Sequence, residues 1–298
     1  MFLFTACQTG AENSAADNGK LTVVTTISQI ADVVINVGGD SISVDQLMGP
    51  GSDPHLYSPS AGDVSSLQDA DIIFYNGLFL EAQMEDILVQ LGERKTVVAV
   101  AGTIPAELLL DSNDYEDEFD PHIWFDVNLW AEATKVVRDT LIEKDPENAS
   151  TYEANAEAYL AELAELDAWV TSEIDRIPAD QRVLITAHDA FNYFGNAYGM
   201  EVLGPQGIST ASEAGAADVQ RLADYITDNQ IRAIFVESSV SERNVEAVQA
   251  AVDSRGWTVE IGGSLFSDAM GESGTPEGTY IGMVRHNINT IVPALLGE

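Results

Sequence analysis

Residues 147–177 contain neither glycine nor proline, and this stretch constrains the fold more than any other. It is rich in Ala, Glu and Leu, with Pro146 before it and Pro178 after it. Proline suits a first helical turn, where its missing N–H costs nothing, and it interrupts a helix elsewhere. At 1.5 Å per residue, a helix over 146–177 would be on the order of 45 Å long. Tyr152, Ala156, Tyr159, Leu163, Leu166 and Val170 recur every three or four residues and give it an apolar stripe to bury. On both sides of this stretch, β-branched runs alternate with helical patterns. Strands are expected at 21–27, 71–75 and 97–100 before it, and at 183–186, 233–236 and 258–261 after it. Helical spacing covers 28–37, 78–91, 216–229 and 244–254. Such alternation argues for an α/β fold. The expectation is two lobes, 21–145 and 179–298, each with a mostly parallel sheet flanked by helices. One long backbone helix at 146–178 joins them, and residues 1–20 read as a signal remnant and tether.

The chain has four histidines. Three of them sit beside an aspartate: Asp53-Pro54-His55, Asp120-Pro121-His122 and Ala187-His188-Asp189. Taken singly, each has a plain alternative, since Asp-Pro is a common turn pair and a lone histidine is usually structural. Their repetition after strand–helix units changes the balance. Proline fixes its own backbone and pushes the preceding Asp toward an extended conformation, so each histidine is presented on a defined turn. In α/β sheets, ligands bind beyond the carboxyl ends of the strands, and His188 follows an expected strand closely. Asp268, in Leu265-Phe266-Ser267-Asp268-Ala269-Met270-Gly271, is a fourth candidate donor. Three imidazoles and one carboxylate make a four-coordinate shell for a divalent transition metal. Metal-bound imidazoles usually need an acceptor on the second ring nitrogen. Asp126, Asp189 and Glu237 are candidates for that role. His286 reads as structural or surface.

Forty-nine acidic residues against 13 basic ones give a net charge of −36. That excess repels nucleic acid and anionic membranes. Its spread along the whole chain reads as a hydrated surface suited to a salty medium rather than as a metal-gathering device. The acids of 111–120 read as a solvated loop. Cys7 is the single cysteine, which excludes an internal disulfide and a cysteine metal site. Phe4-Thr5-Ala6-Cys7 is similar to a lipoprotein cleavage box. Only six residues precede the cysteine, too few for the apolar part of a signal peptide, so the start is expected to be truncated or misassigned. Residues 8–20 are small and polar, as suits a tether. No stretch approaches the roughly 20 apolar residues of a membrane span, so the expected membrane link is a lipid on Cys7.

The chain resembles the zinc/manganese group of metal-binding solute receptors of ABC importers, which carry a helical backbone between two lobes. The resemblance covers about residues 20–298. It rests on Gly51-Ser52-Asp53-Pro54-His55-Leu56-Tyr57, on Asp120-Pro121-His122-Ile123-Trp124-Phe125-Asp126, on His188-Asp189-Ala190-Phe191-Asn192-Tyr193-Phe194, on Phe235-Val236-Glu237-Ser238-Ser239 and on the segment around Asp268. It implies that His55, His122, His188 and Asp268 are the metal ligands. It also implies that the partners are a membrane permease and its ATPase, and that the protein acts outside the cytoplasm, as a monomer. Two departures bear on the metal. Many zinc-specific members carry a histidine-rich loop before the second ligand, where this chain is acidic. Many manganese-specific members have Glu where this chain has His188. Three imidazoles favour Zn2+, with Mn2+ or Fe2+ as alternatives.

Two other functions compete on the residues alone. A metallohydrolase would use three of these ligands with Glu237 or Asp268 as general base, although there is no His-Glu-x-x-His motif. A surface adhesin is the other, although nothing in the sequence encodes a partner surface. For a metal receptor, affinity should weaken below roughly pH 6, because imidazoles must be neutral to ligate.

Overall fold

The computed structural model describes residues 19–112 and 118–298. Its first half is built on four parallel strands, β1 (Leu21–Thr25), β2 (Ile42–Gln46), β3 (Ile72–Tyr75) and β4 (Thr96–Ala99), in the order β2-β1-β3-β4. Val23, Val24, Ile72, Ile73 and Phe74 are fully buried. Continuous apolar runs of this kind mark strands covered on both faces, as parallel sheets are. Helices α1 (Ser28–Gly38), α2 (Ala61–Asp69) and α3 (Glu85–Gly92) connect the strands, and α4 (Val127–Lys144) follows β4.

The long helix, α5, spans Ala149–Ile174, and Pro146–Asn148 forms a 3-10 turn ahead of it. Its 26 residues make about 39 Å, shorter than the sequence implied because the first and last turns are not α-helical. The whole expected stripe is buried, from Tyr152 to Val170, and Ile174 extends it. α5 packs on α4 and α1. Polar ties fix its rotation: the Tyr159 hydroxyl donates to Asp32 Oδ2 at 2.8 Å, and Asn155 Nδ2 donates to the Val37 carbonyl at 3.0 Å.

The second half carries two parallel strand pairs, β5 (Val183–Ile185) with β6 (Glu201–Leu203) and β7 (Ala233–Glu237) with β8 (Glu260–Leu265), and β5 lies beside β7. Helices α6 (Asn192–Tyr198), α7 (Ala216–Asn229) and α8 (Arg243–Asp253) surround them. The last helix, α9 (Tyr280–Leu296), packs on β8 but also on α5 and α1. One apolar core therefore runs from β1 through α5 into α9, and a separate, smaller cluster fills the space between β5, β7, α7 and α8. No helix among the described residues is long and apolar enough to cross a membrane.

Two expected elements are displaced. The helix expected over 78–91 begins only at Glu85, because Gly77, Leu78 and Phe79 have φ of 83°, 53° and 65°. The buried Glu81 carboxylate enforces that turn, accepting from Asn76 N, Gly77 N and Thr26 Oγ1. The strand expected at 258–261 lies at Glu260–Leu265. Gly262 and Gly263 conceal it from propensity, yet they belong there. A Cβ on Gly262 would meet the Phe235 ring at 2.7 Å, and Gly263 has a φ of 144°.

Candidate metal centre

Asp-Pro-His forms the same local structure at both of its occurrences. Asp53 Oδ1 accepts the N–H of His55 at 2.9 Å, and Asp120 Oδ1 accepts the N–H of His122 at 2.9 Å. An Asp that accepts the amide two residues on closes an Asx turn, and the proline between holds the Asp extended. The His122 turn is tied down further by Asn76 Nδ2, which donates to the Pro121 carbonyl at 2.9 Å. His188 lies three residues beyond β5, and Asp268 three beyond β8. The segment carrying Asp268 is clamped from the first half of the chain. The Ser267 carbonyl accepts from Gln29 Nε2 and Trp124 Nε1, each at 3.1 Å, and Met270 N donates to Ser28 Oγ at 3.0 Å.

These four turns converge. One donor atom from each of His55, His122, His188 and Asp268 lies within 4.8 Å of all the others, and all four residues are buried. His55 Nε2 is 3.3 Å from His122 Nε2. Asp268 Oδ1 is 3.4 Å from His122 Nε2, and Asp268 Oδ2 is 3.4 Å from His188 Nε2. A tetrahedral metal with bonds of about 2.0–2.1 Å has edges of about 3.3–3.4 Å. The His55–His122 separation matches such an edge, and so does either Asp268 contact, each made by a different carboxylate oxygen. Neither oxygen of Asp268 nor His188 Nε2 has a hydrogen-bond partner. Buried polar atoms are rarely left so. A cation among them satisfies all of them at once.

The electrostatics agree. Burial alone would raise the Asp268 carboxyl, but His188 and His122 hold it well below the usual carboxylate range. Burial opposes charge on His122, yet Asp120 and Asp268 outweigh it and lift the imidazole to about 9. His188 is raised well above its ordinary value against the same burial, by Glu237 and Asp268. His55 moves the other way, pushed down to about 3 chiefly by burial. Without an ion, two of the three imidazoles keep a proton, standing in for the positive charge that the carboxylates demand.

Residues 23–294 match the family model described as the periplasmic component A of a zinc-uptake complex. The chain belongs to this family. It is 50% identical over 294 residues to the manganese-binding lipoprotein MntA of Bacillus subtilis, covering 99% of this chain and 95% of that one. It is 52% identical over 286 residues to the zinc-binding protein TroA of Treponema pallidum, covering 96% of this chain and 92% of the other. The solved structure of that periplasmic zinc-binding protein superposes with a TM-score of 0.91, over 93% of this chain and 99% of TroA. The two-lobed α/β fold with its long helix is thus the fold of the family.

Around the cluster, the residues expected to orient imidazoles fare differently. Glu237, at the end of β7, does face a ring: its Oε2 is 2.7 Å from His188 Nδ1. Its Oε1 accepts from Ala187 N and His188 N at 2.7 and 3.0 Å, which fixes the carboxylate. Asp126 does not. It caps α4, accepting from Asn128 N and Leu129 N, because a short polar acceptor before a helix is drawn to the free amides of its first turn. Asp189 opens a 3-10 turn after His188, and its carboxylate lies against Gly204, where an added Cβ would meet Oδ1 at 2.7 Å. The acceptor that the sequence reading passes over is Asp120, 2.8 Å from His122 Nδ1. Its signal was present: it opens the same Asx turn that presents His122. His286 sits apart on α9, with Nε2 3.1 Å from the Ser264 carbonyl. Cys7, 1–18 as a whole and most of the acidic loop (113–117) lie outside the described residues.

Proposed function

We propose that this protein captures a single divalent transition-metal ion outside the cytoplasm, holding it through His55, His122, His188 and Asp268, and passes it to the permease and ATPase of an ABC importer. The observation that carries the reading is the buried cluster of His55, His122, His188 and Asp268, with donor atoms within 4.8 Å of one another and with both Asp268 oxygens and His188 Nε2 lacking a hydrogen-bond partner. Family membership supplies the transport role, since the matched description is of a periplasmic uptake component. Relatives named as lipoproteins support attachment by a lipid on Cys7. The proposal includes a monomeric receptor with lobes at 21–145 and 179–298 about the helix at 146–178, and Asp120 and Glu237 as the acceptors that keep His122 and His188 in ligating tautomers.

The protein is a receptor and not an enzyme. With the four proposed donors bound to zinc, a four-coordinate shell is filled and no position is left for an activated water. Of the two general bases a hydrolase could draw on, Glu237 is engaged by two backbone amides and the His188 ring, and Asp268 is one of the four proposed ligands.

Zn2+ is the favoured cargo. Three imidazoles suit it, and at nitrogen sites zinc outcompetes manganese. One observation favours a harder ion: both oxygens of Asp268 face imidazole Nε2 atoms, so the carboxylate can chelate in a bidentate way and raise the coordination number. Loading metal-free protein anaerobically with an equimolar mixture of Zn2+, Mn2+ and Fe2+, followed by elemental mass spectrometry, tests both points. One ion per chain, absent from His188→Ala, supports the site and ranks the metals. No stoichiometric metal, or undiminished metal in the variant, breaks it.

A further inference from the structure

We propose that Thr210 is a positioning residue for metal release: through Asp53 its hydroxyl holds His55 in place, and breaking that one hydrogen bond is the step that frees the ion. The inference rests on the metal-receptor reading above and names the edge at which that site opens.

Asp53 divides its two oxygens between the halves of the molecule. Oδ1 accepts the His55 N–H at 2.9 Å and so shapes the turn that presents the ring. Oδ2 accepts the Thr210 hydroxyl at 2.6 Å, across 157 residues of sequence. In the other Asp-Pro-His turn the same carboxylate reaches the ring itself, at His122 Nδ1. The His55 ring has no carboxylate within ion-pair distance among the described residues, so its orientation depends on its turn. That turn is held from the opposite half of the molecule by a neutral hydroxyl.

Thr210 is carried by a strap, residues 206–212, whose own anchorage leads back to the site. The Gln206 carbonyl accepts from Asp189 N at 3.2 Å, and His188 and Gln206 form a parallel bridge. Gln206 Nε2 then closes the strap on itself, donating to the Thr210 carbonyl at 3.0 Å and to that of Ser212 at 2.8 Å. The strap therefore runs from a neighbour of His188 to a neighbour of His55, joining ligands of different lobes without passing through the ion. His55 is also the donor residue nearest to solvent, 5% exposed against 0% for His122 and His188 and 1% for Asp268. Swinging His55 aside opens a coordination position at the edge of the site while the other three donors stay in place.

The test is the rate of zinc release from the full chain, followed by stopped flow with a chromophoric chelator in excess. Thr210→Val removes the hydroxyl at nearly constant volume, and Thr210→Ser restores it. Thr210→Val is expected to bind one zinc per chain and to release it about tenfold faster than the parent, as the loss of a hydrogen bond to a charged group implies. Thr210→Ser should stay within about twofold of the parent. In the zinc-loaded proteins, NMR relaxation of the His55 ring should report new motion in Thr210→Val and none at His122, a contrast that general loosening of the fold does not produce. Equal release rates for parent and Thr210→Val overturn the proposal. So does a Thr210→Ser variant as fast as Thr210→Val, which would assign the effect to packing. A parent chain that holds no stoichiometric zinc removes the site reading itself and the latch with it.

Discussion

His122 and His188 each rest Nδ1 against a buried carboxylate, and each of those carboxylates is held in turn by backbone amides or by Asn192. His55 has only its backbone N–H tied to Asp53. The same cluster thus contains a floor whose donors are fixed by charge and an edge whose donor is fixed by the shape of a turn. Fixed donors give affinity, because little reorganisation is left for the ion to drive. A donor fixed only by its turn gives a way in and out. A receptor must do both, and the proposed site gives the two tasks to different residues.

The largest expected effect is on the floor. His188→Ala should weaken zinc binding on the order of a thousandfold, about the share of one ligand in a tight four-ligand site, measured by chelator competition. His55→Ala should weaken it less and speed exchange more; the reverse order would invert the comparison. Next come the supporting carboxylates. Glu237→Gln and Asp120→Asn should each cost roughly 10–100-fold in affinity, and calorimetry that finds neither effect removes the charge-based account of the floor. The pH dependence should separate the same residues. His122 is raised to about 9 and His188 also upward, so in metal-free protein both are protonated at neutral pH, and an arriving ion must displace those protons. Affinity should therefore climb with pH through about 9, rather than level off above pH 6 as the sequence alone implied. Loading at pH 7 should release about two protons. His55 is already neutral above about pH 3 and contributes none of this slope. A flat affinity from pH 6.5 to 9 would refute the assignment. The smallest effect is at His286. His286→Ala gives up its contact with the Ser264 carbonyl and should leave zinc affinity within about twofold of the parent, at a stability cost of about 1 kcal/mol or less.

The fold was legible where periodicity is long. The α5 stripe from Tyr152 to Val170 is buried as its spacing requires, and α7 occupies the expected residues. It was illegible where a tertiary partner overrides local preference. Leu78 has helical neighbours in sequence, but the Glu81 carboxylate gathers the preceding amides and forces a left-handed turn. Gly262 and Gly263 look like a strand end, yet the Phe235 ring needs the missing side chain of Gly262, and the Thr290 side chain together with a φ of 144° needs that of Gly263. The convergence of His55, His122, His188 and Asp268 was readable because short repeated motifs carry their own backbone geometry. The surrounding acceptors were readable only in part, since adjacency in sequence says little about where a carboxylate points: Glu237 was among the candidates, while Asp120 was passed over. Asp126 and Asp189 adjoin donor segments but turn to helix amides and to Gly204. Glu237 reaches His188 from 49 residues away.

The four donors come from turns scattered from His55 to Asp268, and the segment carrying Asp268 is clamped by Gln29 near the start of the chain. The unfolded polypeptide therefore has no partial version of the site: any two donors are separated by dozens of residues, and their chelate effect vanishes until both halves have docked. A chain crossing a membrane unfolded would arrive empty. Its first ion would come from the compartment in which folding finishes, and occupancy would certify that the last helix has found its place.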